Sequence, residues 1–131
     1  MELSIIIPAY NEERRIGKTL EAYSKFFRQK SKNLEIIVVF DGTDNTDKVV
    51  EKISKRYKFV RLLKFDHRLG KGGGVYEGFK AASGDMIGFT DADNSIEPKF
   101  FNDLIEVLDS CDCAIASRKV KGARMIIPQS T

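Results

Sequence analysis

The sequence predicts an α/β fold, a three-layer α/β/α sandwich around a mostly parallel sheet. Its continuously apolar runs, such as Leu3–Ile7 and Ile36–Phe40, are typical of strands buried on both faces, as in parallel sheets. These runs alternate with segments in which apolar residues recur at helical spacing, and strands separated by helices pair in parallel through right-handed crossovers. The length, 131 residues, is that of a single domain.

The first strand–helix unit begins with the apolar run Leu3–Ile7, which stops at Pro8. A helix should follow, because apolar residues then recur at i, i+4, i+7 and i+11. We expect Asn11 to cap this helix and Glu12 and Glu13 to lie in its first turn, where the helix dipole favours anions. The apolar face of the helix consists of Ile16, Leu20, Tyr23 and Phe27.

The second unit begins with the apolar strand Glu35–Phe40. A helix is entered through the cap-rich segment Thr43–Thr46 and has an apolar face that includes Val49, Ile53 and Tyr57. The third strand, Phe59–Phe65, mixes polar and apolar residues, which places it nearer an edge of the sheet.

The second half of the chain continues the alternation. The stretch Gly70–Gly74 precedes a third helix, Asp85–Thr90 is a fourth strand, and Pro98 suits the first turn of a fourth helix. A short fifth strand is predicted at Cys113–Ser117, and residues 118–131 show no clear periodicity. The apolar faces of the two helices are Val75, Phe79 and Ala82, and Phe101, Leu104, Ile105 and Leu108.

Composition excludes several classes of protein. Lys and Arg total 22 against 19 Asp and Glu, and a net charge of +3 argues against a nucleic-acid binder. No apolar run approaches the roughly 20 residues that span a bilayer, and no signal peptide is visible, so we expect a cytoplasmic protein. Cys111 and Cys113, with the single His67, are too few for a disulfide framework or a metal site.

The candidate site lies where the predicted strands end. In a parallel sheet of this kind, ligands bind beyond the carboxyl ends of the strands, so Asp41, Asp91 and Asp93 should converge on one rim. The Asp91-Ala92-Asp93 segment suits a hard cation such as Mg²⁺ or Mn²⁺, because two close carboxylates repel unless a cation neutralises them. A solvated acidic turn remains the alternative for this segment, and a simple turn residue the alternative for Asp41.

The glycine-rich stretch Arg68–Gly74 could bring a phosphate to a helix N-terminus, or it could be a plain turn. It fits neither a Walker loop nor the G-x-G-x-x-G fingerprint, since Phe65 and Val75 stand where those motifs need glycine. A hydride-transfer enzyme is therefore disfavoured, and a receiver domain also, because Pro8 and Ala9 end the first strand where its acids should stand.

Two further features are open. His67 is solitary and is read as a loop residue rather than a catalyst. A basic patch after the fifth strand is either a solvated tail or a phosphate-binding surface near the same rim. The patch consists of Arg118, Lys119, Lys121 and Arg124.

Together these motifs resemble the family 2 glycosyltransferases, which have the GT-A nucleotide-diphospho-sugar transferase (Rossmann-like) fold. The resemblance runs from residue 1 to about residue 118. Arg68–Gly72, together with the Asp91-Ala92-Asp93 segment followed by Pro98, is most similar to the branch that glycosylates dolichyl or other polyprenyl phosphates. The motifs, in order, are Ser4–Glu13, Asp41-Gly42, Gly70-Lys71-Gly72, Ser83-Gly84-Asp85 and Asp91-Ala92-Asp93.

The resemblance implies roles for individual residues. Asp91 would lie near the ribose or a metal, Asp93 would ligate the metal, and Arg118 matches an arginine of the polyprenyl-phosphate branch; we take these three as the catalytic set. Asp41 would hydrogen-bond the base, and Gly70 and Lys71 would lie near the base and diphosphate. The loop around the nucleoside would be Pro8, Ala9, Tyr10 and Glu12, with Glu12 toward the ribose. In one departure from the family pattern, Phe40 stands where a second acid often precedes Asp41.

The resemblance also implies a reaction. A hexose would pass from a UDP- or GDP-sugar to a polyprenyl (dolichyl) phosphate, with inversion and with Mg²⁺ or Mn²⁺, at the cytoplasmic membrane face. A saccharide acceptor and an incomplete nucleotide-sugar-binding module are the alternatives, and a nucleotidyltransferase is disfavoured because no basic glycine-rich loop follows the first strand.

Residues 1–117 would be the donor domain and 118–131 a basic tail that begins a truncated acceptor region. We therefore expect a chain that binds donor but transfers poorly. The oligomeric state is left open.

Overall fold

The computed structural model describes residues 2–107, 114–115 and 125–128. Strands and helices alternate along most of the chain, as the sequence predicts. The elements are β1 (Glu2–Ala9), α1 (Ile16–Phe27), β2 (Asn33–Phe40), α2 (Thr46–Ser54), β3 (Val60–Lys64), α3 (Gly70–Ala81), β4 (Met86–Phe89), α4 (Pro98–Val107), β5 (Ala114–Ile115) and β6 (Met125–Pro128).

The strands form one sheet in the order β3-β2-β1-β4-β6-β5. The first four strands are parallel, with Ile5 of β1 in register with Ile36 of β2 and Gly88 of β4. β6 runs antiparallel to β4, and β5 runs antiparallel to β6. The strand order reverses on either side of β1, so a crevice is expected beyond the carboxyl ends of β1 and β4.

Helices cover both faces of the sheet. On one face, β1 and β2 pack through Ile5, Ile7, Ile36 and Val38 against α1, α2 and α4. The alternate residues, Ile6, Ile37 and Val39, point to the other face, where Phe79 of α3 packs against them. This burial on both faces explains why the strands read as continuous apolar runs, and it confirms the predicted three-layer sandwich.

Helix α3 faces β1 with two glycines, and a side chain at either position would meet the strand. A Cβ on Gly78 would overlap the side chain of Ile6, and one on Gly74 would lie 3.2 Å from Cβ of Pro8. Gly74 and Gly78 therefore form a packing surface on α3. The expectation that Gly70–Gly74 lies ahead of the helix is wrong in that respect, since α3 begins at Gly70.

The predicted cap of the first helix is also wrong. Helix α1 begins at Ile16, with Arg15 at the cap position and no acidic residue in the first turn. Asn11 has a φ of 51° and uses its side chain elsewhere. Glu12 and Glu13 precede the helix in a turn closed by hydrogen bonds from the N–H groups of Arg15 and Ile16 to the carbonyl of Glu12.

The end of the chain differs from the expectation in one described segment. Met125–Pro128 forms β6 within a stretch for which the sequence showed no periodicity. Of the predicted strand Cys113–Ser117, the structure describes Ala114–Ile115 as β5, and the remainder lies outside the described residues. The division at residue 117 into a donor domain and a tail stays a prediction.

Candidate functional site

A pocket opens at the carboxyl edge of the sheet, beyond β1, β2 and β4. Every predicted site residue that the structure describes lines it, and the expected convergence of the three aspartates is confirmed. Arg118, with Lys119, Lys121 and Arg124, lies outside the described residues. The pocket is lined by Pro8, Ala9, Tyr10, Glu12, Asp41, Arg68, Gly70, Lys71, Asp91, Ala92 and Asp93.

The loop after β1 is held against the loop after β2. Oδ1 of Asn11 accepts hydrogen bonds from the N–H groups of Thr43 and Asp44, at 2.8 and 3.1 Å. A side chain at Gly42 would overlap that same oxygen, so this close approach requires glycine after Asp41. Asn11 thus links the two loops, and this use of its side chain explains why it does not cap α1.

The same junction fixes the backbone of Glu12. Its N–H donates to Oγ1 of Thr46 at 2.8 Å, and its carboxylate pairs with Arg15 at 2.5 Å. Oδ1 of Asp44 accepts hydrogen bonds from the N–H and the hydroxyl of Thr46, and Oδ2 accepts a third from the N–H of Glu13. Burial alone would raise the pKa of Asp44, but these hydrogen bonds outweigh it and hold that pKa below its usual value.

Asp41 is buried at the base of the pocket and organises the start of α3. Its Oδ2 accepts hydrogen bonds from Nη1 of Arg68 at 3.0 Å and from the N–H groups of Leu69 and Gly70 at 2.7 and 3.1 Å. Its Oδ1 accepts none from the residues that the structure describes. One carboxylate oxygen is therefore saturated, and the other is available to a ligand.

Arg68 and Tyr10 line the pocket together with Asp41. The guanidinium carbon of Arg68 lies 3.7 Å from the centre of the Tyr10 ring, a close cation–π contact. Tyr10 is 44% exposed, which is high for an aromatic side chain in this protein. An exposed flat ring beside a guanidinium is a surface on which a planar base can stack.

The segment Asp91–Asp93 is positioned by buried side chains of α1. Oγ1 of Thr19 donates to the carbonyl of Ala92 at 2.6 Å, and the hydroxyl of Tyr23 donates to the carbonyl of Ile96 at 2.7 Å. Ala92 is almost fully buried. Because the middle residue is held inward, the two flanking aspartates lie on the pocket side.

The two aspartates already have partners. Oδ1 of Asp91 pairs with Nζ of Lys71 at 2.8 Å. Oδ1 of Asp93 accepts a hydrogen bond from the N–H of Ser95 at 3.0 Å, in a turn that Asn94 completes with a φ of 58°.

Both carboxylates lie on the pocket, and their oxygens are of the kind that Mg²⁺ or Mn²⁺ prefers. Within the described ranges, no group of three or more His, Cys, Asp or Glu side chains is placed to hold a metal ion. A cation here would need further ligands from a substrate or water.

Some positioning residues escaped the sequence analysis. Thr19 and Tyr23 carry hydroxyls on the buried side of an amphipathic helix. A buried hydroxyl needs a hydrogen-bond partner, and this was the signal that they contact the loop after β4. Arg68 was noted only as part of a motif. His67 does not line the pocket; it is exposed and contacts Asp66, in agreement with its reading as a loop residue.

Comparisons with known proteins place these features in context. Residues 4–124 match the family model described as glycosyl transferase family 2. A dolichyl-phosphate beta-glucosyltransferase of Dictyostelium discoideum is 37% identical over 114 residues, which are 81% of this chain and 35% of the relative. A dolichol-phosphate mannosyltransferase of Pyrococcus furiosus is 34% identical over 127 residues, 95% of this chain and 35% of the relative. The chain thus spans about a third of the length of these relatives.

Solved structures give a consistent picture. TarS of S. aureus, in complex with UDP-GlcNAc, superposes with a TM-score of 0.71 at 28% identity, covering 86% of this chain and 33% of that one. A mannosyltransferase of Pyrobaculum calidifontis, in complex with GDP-Man and Mn²⁺, gives a TM-score of 0.76 over 97% of this chain and 44% of that one, and at 20% identity it shows a shared fold. In the part of the chain that the structure describes, no helix is long and apolar enough to cross a membrane.

Proposed function

The chain belongs to glycosyl transferase family 2, as its motifs predicted, and from this membership we propose that its pocket binds a nucleoside-diphosphate hexose for transfer to a polyprenyl phosphate. The observation that carries the proposal is the convergence of Tyr10, Asp41, Lys71, Asp91 and Asp93 in one pocket at the strand-order reversal. Because the chain spans about a third of its relatives, the activity and the acceptor are proposals for the whole enzyme.

The donor would lie across the pocket with its base toward Asp41 and its diphosphate toward Asp91. Tyr10 and Arg68 offer a stacking surface for the base. Lys71, in the first turn of α3, brings a cation and the positive end of a helix to the diphosphate. When bound, Mg²⁺ or Mn²⁺ held by Asp91 and Asp93 would supply Lewis-acid stabilisation of the departing diphosphate.

The hydrogen bonds that Asp41 already accepts favour uracil as the base. Three donors already saturate Oδ2, so only Oδ1 can accept a hydrogen bond from the ligand. Uracil presents a single N–H between two carbonyl oxygens, and the remaining N–H groups of Arg68 can meet a carbonyl. Guanine presents a ring N–H and an exocyclic amine together, and the amine would lack the second carboxylate oxygen. We therefore propose UDP-hexose as the donor.

The acceptor proposed is a phosphate monoester of a polyprenol. One of its oxygens would attack the anomeric carbon opposite the leaving group, so that a carbon–oxygen bond to the acceptor forms while the bond to the diphosphate breaks. The nucleoside diphosphate leaves and the configuration inverts. The relatives' names, which refer to dolichyl or dolichol phosphate, support this acceptor over a saccharide.

Two measurements test the proposal. Calorimetry with Mn²⁺ present should show UDP binding more tightly than GDP, and a folded chain that binds neither nucleotide would refute the donor site. Transfer of labelled glucose from UDP-glucose, although slow for this chain as expected above, should require polyprenyl phosphate, with the corresponding polyprenol as the matched control. Equal transfer to the polyprenol, or to a free saccharide, would refute the proposed acceptor.

A further inference from the structure

The ion pair between Lys71 and Asp91 joins two residues that are expected to meet different parts of the donor complex. Nζ of Lys71 lies 2.8 Å from Oδ1 of Asp91. Lys71 belongs to the first turn of α3, whereas Asp91 follows β4, so the contact bridges two walls of the pocket. The lysine side chain is 56% exposed and the aspartate side chain 29%, so the cation comes from the open side of the pocket.

This contact places a protein cation on one of the two carboxylates proposed for the metal. A divalent cation that approaches Asp91 must displace the ammonium group or bind beside a like charge, and both cost free energy. The competition is strongest when no anion is present to take up Lys71. The apo pocket should therefore bind a divalent cation more weakly than its two aspartates alone would allow.

A diphosphate changes the balance, because it offers Lys71 a stronger partner at the end of the same helix. Lysine is a point charge on a flexible four-carbon stem, so it can change partners without movement of the backbone. We propose that Lys71 acts as an internal counter-cation, which occupies Asp91 in the empty pocket and moves to the donor's diphosphate, and so couples nucleotide binding to metal binding. This inference rests on the proposed donor site.

The coupling has a thermodynamic consequence. Since the nucleotide increases the affinity for the metal by removing Lys71 from Asp91, the metal must increase the affinity for the nucleotide by the same factor. Removal of the lysine charge should separate two effects. Metal binding to the apo protein should strengthen, while the increase that the nucleotide produces should shrink.

The experiment is a titration of the chain with Mn²⁺, with free Mn²⁺ followed by electron paramagnetic resonance, first alone and then with saturating UDP or GDP. Lys71→Gln removes the charge and Lys71→Arg keeps it. Lys80→Gln is the matched control, because Lys80 lies on the same helix, is 54% exposed and pairs with Glu77 at 3.1 Å. Circular dichroism establishes that each variant is folded.

We expect Lys71→Gln to bind Mn²⁺ alone about two- to fivefold more tightly than the wild type, the range for loss of a partly exposed ion pair. Lys71→Arg and Lys80→Gln should match the wild type. Unchanged or weaker Mn²⁺ binding by folded Lys71→Gln would overturn the proposal, as would equal tightening in Lys71→Arg. The titration without nucleotide tests by itself whether Lys71 competes with Mn²⁺ for Asp91. Failure of both nucleotides to bind the wild type would instead refute the proposed donor site.

Discussion

Substitution of Asp41 by asparagine separates its contacts with α3 from its proposed contact with the nucleotide, because the two would use different carboxylate oxygens. Oδ2 accepts three N–H groups at 2.7–3.1 Å. Rotation of the new amide to place its NH₂ there would set donor against donor, so the amide oxygen should keep this position. The NH₂ group then takes the place of Oδ1 and faces the N–H of the base.

The expected costs follow from this geometry. The fold loses only the charge component of a pair with Arg68, whose side chain is 56% exposed, and such pairs contribute about 0–1 kcal/mol. The nucleotide loses an ionised acceptor, which is worth about 1.5–3 kcal/mol, or about a 10- to 150-fold increase in Kd.

The assay is calorimetric titration with UDP in the presence of Mn²⁺, alongside thermal denaturation. Asp66→Asn is the control, since Asp66 is exposed beyond β3 and pairs with His67 outside the pocket. A Kd for Asp41→Asn within twofold of the wild type, in a folded protein, would refute the role assigned to Oδ1. A fall of many degrees in Tm would show that Asp41 mainly holds the start of α3.

The other predictions concern packing, pH and metal. Gly78→Ala should destabilise the fold by about 1–3 kcal/mol in urea denaturation, because the new methyl group would overlap Ile6. Gly72→Ala has open space around its Cβ, so it should leave the stability unchanged or raise it by about 0.5–1 kcal/mol. Equal effects of the two substitutions would refute the packing argument. Glu35→Gln should lower the urea midpoint at neutral pH, with a smaller difference from the wild type as the pH falls below 4.5. A difference that does not change with pH would contradict this. Asp93→Asn should keep the fold, since an amide oxygen can still accept from the N–H of Ser95, but should abolish the effect of Mn²⁺ on UDP binding in calorimetry.

The pH prediction depends on a cluster at the opposite edge of the sheet. Oε2 of Glu35 accepts from the hydroxyl of Ser4 and the N–H of Ser83, both at 2.6 Å, and Oε1 accepts from Arg61 at 2.8 Å. Burial alone would raise the pKa of Glu35, but these hydrogen bonds outweigh it and lower that pKa. The stabilisation is therefore present above the unfolded value of 4.5 and is lost as the pH falls through the folded value.

The parts of the site that depend on topology could be predicted from the sequence. Parallel strands bring their carboxyl ends to one edge, so residues 50 positions apart, such as Asp41 and Asp91, had to meet once the strands were assigned. The apolar runs of β1 and β2 also identified two strands that are buried on both faces of the sheet. These inferences need only the element order and the common direction of the strands.

The parts that depend on side-chain partners could not be predicted in this way. Asn11 is a good helix cap by residue type, but it bonds the backbone of the loop after β2, a choice set by tertiary contact. Likewise, no residue pattern indicated that Arg68 would pair with Asp41 or that Lys71 would pair with Asp91. The strand Met125–Pro128 is a short apolar run that is held as a strand by its pairing with β4 and β5.

The partners of the pocket carboxylates bear on the kind of acceptor. Glu12 pairs with Arg15, Asp41 with Arg68 and Asp91 with Lys71. Asp93 accepts a hydrogen bond from the N–H of Ser95. A general base must take a proton from a hydroxyl acceptor, and for each of these four groups that would weaken an existing contact. A phosphate acceptor is already an anion and needs cations instead of a base.

The topology indicates where such cations could come from. Ile115 of β5 and Met125 of β6 are register partners, and the pairing of β6 with β4 sets them at the carboxyl end of β4, the edge where Asp91 lies. Arg118 follows Ile115 by three positions in the sequence, a separation that spans at most about 10 Å in any conformation. Because Ile115 lies at the edge where Asp91 lies, we propose that Arg118 supplies a cation for the acceptor phosphate. The donor roles of Arg68 and Lys71 are proposals of the same kind.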